Sequence, residues 1–79
     1  MKLYDTVRVI RLLTKNRRYD GTIGVRRAPK VGDVGVLVHE YDGKDPRAPV
    51  AVESVDPDGS TIWLADFDPD ELELVDTLV

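Results

Sequence analysis

The segment DGTIGVRRAPKVGDVGVLV, residues 20–38, holds nearly the same five residues twice. Gly21-Thr22-Ile23-Gly24-Val25 is followed eleven residues later by Gly32-Asp33-Val34-Gly35-Val36. The first copy runs into Arg26 and Arg27. Only the second continues into an alternating apolar run, through Leu37-Val38-His39-Glu40-Tyr41, and so specifies a strand. A glycine inside a strand marks a bulge, a bend or the close approach of another backbone. Gly35 is therefore read as an architectural residue of a small, strongly bent sheet. Two copies are too few for a solenoid, and shared turn grammar explains the likeness more simply than a duplicated hairpin.

Outward from this segment the chain reads as strands and turns. Tyr4 to Leu13 is β-branched and roughly alternating, with Val7 and Val9 on one face and Thr6 and Arg8 on the other. Residues 14–30 are polar and basic, and are expected to form a loop insertion carrying a short hairpin at most. Strands are expected at Val34–Tyr41, Val50–Val55 and Thr61–Phe67. Asp42–Pro49 connects the first two of these, and the tight turn Asp56-Pro57-Asp58-Gly59 follows the second. Asp68-Pro69-Asp70-Glu71 has an N-cap residue, a proline at the first helical position and acids in the first turn. One helical turn fits before a fifth strand, Glu73-Leu74-Val75. The expectation is an all-β fold, a small five-stranded antiparallel barrel with one short helical turn before the last strand, in a single domain over residues 1–79.

The chain has 79 residues, no cysteine and a net charge of -4. Disulfides, thiolate zinc sites and a cysteine nucleophile are thereby excluded. No apolar run approaches the ~18 residues of a membrane span, and Lys2 and Asp5 break the apolar start expected of a signal peptide. A soluble cytoplasmic protein with no membrane partner is expected. The charge is unevenly placed. Residues 1–30 hold nine basic against two acidic residues, a balance of +7, and residues 31–79 hold two against thirteen, a balance of -11. In one small domain such halves are expected to neutralise each other across the fold.

Several blocks resemble a bacterial domain-of-unknown-function family, the one numbered 4926. They are Met1-Lys2-Leu3-Tyr4-Asp5-Thr6-Val7, the block Val31 to Tyr41, Val55-Asp56-Pro57-Asp58-Gly59-Ser60-Thr61, and Asp70-Glu71-Leu72-Glu73-Leu74. The resemblance leaves out residues 15–30. That group is similar to SH3-like barrels, and Gly32-Asp33-Val34-Gly35-Val36 is also similar to the KOW motif of ribosomal and transcription-factor barrels. The resemblance implies an SH3-like barrel with a non-enzymatic, protein-binding role, with an immunity or antitoxin function as one version of it.

Residue chemistry agrees in supplying no active site. His39 is the sole histidine and has no nucleophile or second ligand beside it in sequence, so it is expected as a solvent-facing strand residue. Asp66-Phe67-Asp68-Pro69-Asp70-Glu71 spaces carboxylates as a calcium loop does, but Glu71 stands where the loop needs glycine. No cofactor and no metal are expected. Two surfaces remain. Alternation in β-strand Thr61–Phe67 puts Trp63, Ala65 and Phe67 on one face and Ile62, Leu64 and Asp66 on the other. Ile62, Trp63 and Leu64 are the candidate residues for a protein partner or a second copy of the chain. Arg17, Arg18, Tyr19, Arg26 and Arg27 combine basic charge with an aromatic ring, and are the candidates for the alternative, a KOW-like RNA- or ribosome-associated module.

Overall fold

The computed structural model describes residues 1–13 and 26–75. Five strands lie in one antiparallel sheet: β1 (Thr6–Val9), β2 (Val34–Glu40), β3 (Val50–Val55), β4 (Thr61–Phe67) and β5 (Leu72–Leu74). A single 3-10 turn, Pro69–Glu71, precedes β5. The spatial order is β4-β3-β2-β1-β5, so the last strand returns to the free side of the first. The sheet does not close, and β4 and β5 are its two margins. Among the described residues there is no α-helix, and no helix long and apolar enough to cross a membrane. The first copy of the five-residue repeat, Gly21–Val25, lies outside the described residues, as do Arg17, Arg18 and Tyr19.

One face of the sheet carries the core: Val7 and Val9 of β1, Leu37 of β2, Val50 and Val52 of β3, Trp63, Ala65 and Phe67 of β4, and Leu72 of β5. In β4 the inward set is Trp63, Ala65 and Phe67, one of the two sets that alternation separates. In β2, Gly35 and Leu37 point inward, while Val34 is exposed and Val36 and Val38 are half-buried. Gly35 explains the choice. A Cβ built on it would lie 2.7 Å from the Glu53 carbonyl oxygen and 2.7 Å from Val52 Cγ1, so β2 can approach β3 this closely only where a side chain is missing. Two bulges then reset the alternation. Val38 of β2 is the extra residue against β3, and Ile62 of β4 is the extra residue between Trp63 and Thr61.

Turns follow their residues. Gly59 has φ +90° and its N–H bonds the Asp56 carbonyl at 2.8 Å, which places the Asp56-Pro57-Asp58-Gly59 turn as expected. Gly32 has φ +97° in the turn leading to β2. Strand β1 stops at Val9, short of the expected Leu13. The Ile10 and Arg11 amides turn away to the Glu71 carbonyl, at 2.8 and 3.4 Å. Glu71 is completely buried. Its carboxylate accepts the Asp68 amide at 2.9 Å, as in a capping box, and the Leu13 amide at 2.8 Å. This one side chain thus secures both the 3-10 turn and the departure of the chain from β1.

The halves of opposite charge meet. Arg8 pairs with Glu73 at 2.7 Å, Arg26 with Asp56, and Arg27 with Asp33 at 2.7 Å. Each pair joins a base from residues 1–30 to an acid from residues 31–79.

Candidate binding surface on the β4 margin

Strand β4 is a margin of the sheet, yet its upper end is occupied. Residues 26–30 lead into the turn before β2 and pass beside β4. The Arg26 amide donates to the carbonyl of the bulge residue Ile62 at 2.8 Å. A bulge leaves its extra residue out of the ladder, and here that residue supplies the acceptor for the arm. Ile62 itself is half-buried and packs against the core cluster rather than projecting freely from the outer face.

Asp33 fastens the arm. Its Oδ2 accepts Arg27 Nη1 at 2.7 Å, the Trp63 indole N–H at 2.8 Å and the Lys30 amide at 3.0 Å. Its Oδ1 accepts Arg27 Nη2 at 3.1 Å, completing a two-pronged pair. Burial alone would raise the pKa of this carboxyl. The bonds from Arg27, Trp63 and Lys30 together outweigh that and hold it below its ordinary value of 3.8. The hydrogen bond to Asp33 likewise raises the Arg27 pKa against desolvation. Arg26 reaches the Asp56 carboxylate in the β3–β4 turn. Both described candidates for phosphate contact, Arg26 and Arg27, therefore already serve carboxylates of the same fold.

Trp63 is wholly buried, and its indole N–H is spent on Asp33. It underlies the surface and offers none of its own. Leu64 is half-buried on the outer face, where it pairs with Glu53 of β3, which in turn pairs with Val36 of β2. The row Val36-Glu53-Leu64 crosses three strands, and Val34, 43% exposed, lies on the same face two residues before Val36. Glu53 is held by a hydrogen bond from the Thr61 hydroxyl. Of the three protein-interface candidates, Leu64 is thus the one on the outer face, Ile62 supports the arm, and Trp63 supports the core.

Lower on the same face, the Tyr41 hydroxyl donates to Asp66 at 2.6 Å, and the exposed His39 ring meets Tyr41 edge-on at 4.7 Å. Among the described residues no three histidine, aspartate or glutamate side chains converge to hold a metal ion. Nothing in the sequence marks Asp33 as the partner of Trp63, because a Gly-Asp pair reads as turn chemistry and the tryptophan is 30 residues away. Comparison of the chain with family models, curated proteins and solved structures finds no match.

Proposed function

We infer that this chain is a non-enzymatic protein-binding module of the cytoplasm, an SH3-like barrel left open between β4 and β5, whose partner lies on the outer face of β2, β3 and β4. The observation that carries the reading is the row Val36-Glu53-Leu64 with Val34 beside it. The core on the opposite face is already filled by Trp63, Phe67, Leu37 and the valines. Apolar residues beyond what the core uses, gathered around one fixed carboxylate, suit a protein surface of matching shape. The resemblance to the family numbered 4926 makes an immunity or antitoxin role the specific version, with a toxin protein as the partner. The alternative RNA-binding role has Arg26 and Arg27 engaged by Asp56 and Asp33, which weakens their call on phosphate.

The test is capture from bacterial lysate, run in parallel with and without RNase treatment, together with sedimentation of the isolated chain. Wild type retains a protein partner or self-associates, and Leu64→Lys loses either behaviour with its melting temperature nearly unchanged. A monomer that retains no protein but holds RNA, with an affinity that falls steeply as salt rises, overturns the reading in favour of the nucleic-acid role.

A further inference from the structure

Three Asp-Gly pairs occur in the chain, at residues 20–21, 42–43 and 58–59. The first lies outside the described residues. In such a pair the glycine nitrogen can attack the aspartate carboxyl, because no Cβ shields it. The N–Cγ bond forms, the Cγ–OH bond breaks, and the hydroxyl leaves as water with the amide proton. Water then opens the cyclic imide at either carbonyl. One opening restores aspartate. The other breaks the original peptide link and leaves the chain running through the side chain, as isoaspartate. The reaction needs water, an unengaged glycine amide and a neutral carboxyl that reaches it.

Both described pairs are exposed, and in both the aspartate Oδ1 accepts the amide two residues on, from Lys44 at 3.0 Å and from Ser60 at 2.8 Å. Each bond closes a ring that contains the glycine nitrogen, so both carboxyls are folded back towards their target. The glycine amides differ. The Gly59 N–H donates to the Asp56 carbonyl at 2.8 Å, inside the tight β3–β4 turn. In the β2–β3 loop the Asp45 and Ala48 amides bond the Asp42 and Asp45 carbonyls, and those of Lys44 and Arg47 bond aspartate side chains. The Gly43 amide has no partner among the described residues. The space beside it is open, since an added Cβ would meet only Glu40 Oε2, at 3.3 Å. Hydrogen bonding from Ser60, its amide first, also holds the Asp58 carboxyl below its ordinary value of 3.8, which thins out the neutral acid there.

We propose that Asp42-Gly43 is a site of isoaspartate formation in the folded protein, and that its turn protects Asp58-Gly59. The product gains a main-chain carbon directly after Tyr41, whose hydroxyl bonds Asp66 of β4. It also presents a free α-carboxyl, the group esterified by methyltransferases that act on isoaspartyl proteins.

The experiment incubates the full chain near neutral pH and body temperature for several weeks and then digests it with trypsin. Asp42 falls in peptide 31–44 and Asp58 in peptide 48–79. Isoaspartate in each is counted by methyl transfer from radioactive S-adenosylmethionine by an isoaspartyl methyltransferase. The expected result is about fivefold more label in peptide 31–44, the factor that one hydrogen bond of ordinary net strength carries. Incubation in guanidinium chloride breaks the Gly59 bond and brings the two sites level. Gly43→Ala removes most of the label from peptide 31–44 with the fold intact. Absence of label from peptide 31–44, equal label in both peptides of the folded chain, a preference that survives unfolding, or an undiminished signal in Gly43→Ala overturns the proposal.

Discussion

Asp33 and Trp63 are 30 residues apart in the chain, and the Trp63 indole N–H donates to Asp33 Oδ2 at 2.8 Å. The same carboxylate takes both prongs of Arg27. One side chain at the entrance to β2 therefore joins the core tryptophan of β4 to the arm that covers the β4 margin. Replacing Asp33 by alanine leaves a wholly buried indole N–H unsatisfied and frees Arg27. The expected cost is about 1–3 kcal/mol, read as a drop in the urea midpoint. Faster exchange of the Arg26 amide is expected with it. Slow exchange at Arg26 in that variant would show that Asp33 does not hold the arm.

The same carboxylate sets an acid limit. The folded-state pKa of Asp33 lies below its ordinary value of 3.8, so the unfolded chain binds the proton more readily. The stability this contributes is whole above the unfolded pKa and is lost as pH falls through the folded one. Wild type should therefore lose stability below about pH 4, whereas Asp33→Asn should start lower at neutral pH and follow a flatter curve in that range. Denaturation midpoints measured from pH 7 to pH 2 check this, and parallel curves would remove Asp33 from the account.

Two glycines separate two reasons for having no side chain. At Gly35 the obstacle is contact, with Glu53 O and Val52 Cγ1 each 2.7 Å from an added Cβ. At Gly32 nothing lies within 4 Å, and only φ of +97° resists substitution. Gly35→Ala is expected to cost on the order of 2–3 kcal/mol by overpacking, and Gly32→Ala about 1 kcal/mol. Thermal melts of the two variants should rank in that order.

Tyr4 has φ +71° and is 76% exposed. Few residues other than glycine adopt this conformation cheaply, asparagine being the main one. Because the ring contributes little packing, Tyr4→Asn should leave the melting temperature unchanged or raise it slightly. Tyr4→Val, with a branched Cβ in the same backbone, should lower stability by about 1 kcal/mol or more. Equal effects would mean that the ring, not the backbone, decides.

Much of the sheet is legible in local sequence. The ranges Val50–Val55 and Thr61–Phe67, the Asp56–Gly59 turn and the helical turn at Pro69–Glu71 follow from alternation, proline and glycine placement, and capping acids. Alternation sorts the side chains of β4 into two sets, but the pattern does not say which set is inward; the packing of Trp63, Ala65 and Phe67 against the other strands decides it. What escapes is every feature made by residues distant in the chain. The bulge at Ile62 needs the β3 register, and it turns a residue expected on the outer face towards the core. The inward placement of Gly35 depends on the β3 backbone. Glu71 reads as a first-turn acid, and only the return of Leu13 to its carboxylate accounts for its complete burial.

The placement of β5 beside β1 bears on biosynthesis. Of the five strands, β1 is made first and β5 last, yet they are neighbours, with Arg8 and Glu73 joined across 65 positions. While the chain is being made, β1 can pair with β2 but must leave its other side open until β5 emerges. An open strand edge invites pairing with other chains. Arg8, on the outer face between Val7 and Val9, puts a charge in the middle of that edge during the wait, a gatekeeper against aggregation. The same arginine takes Glu73 as its partner when the sheet is complete.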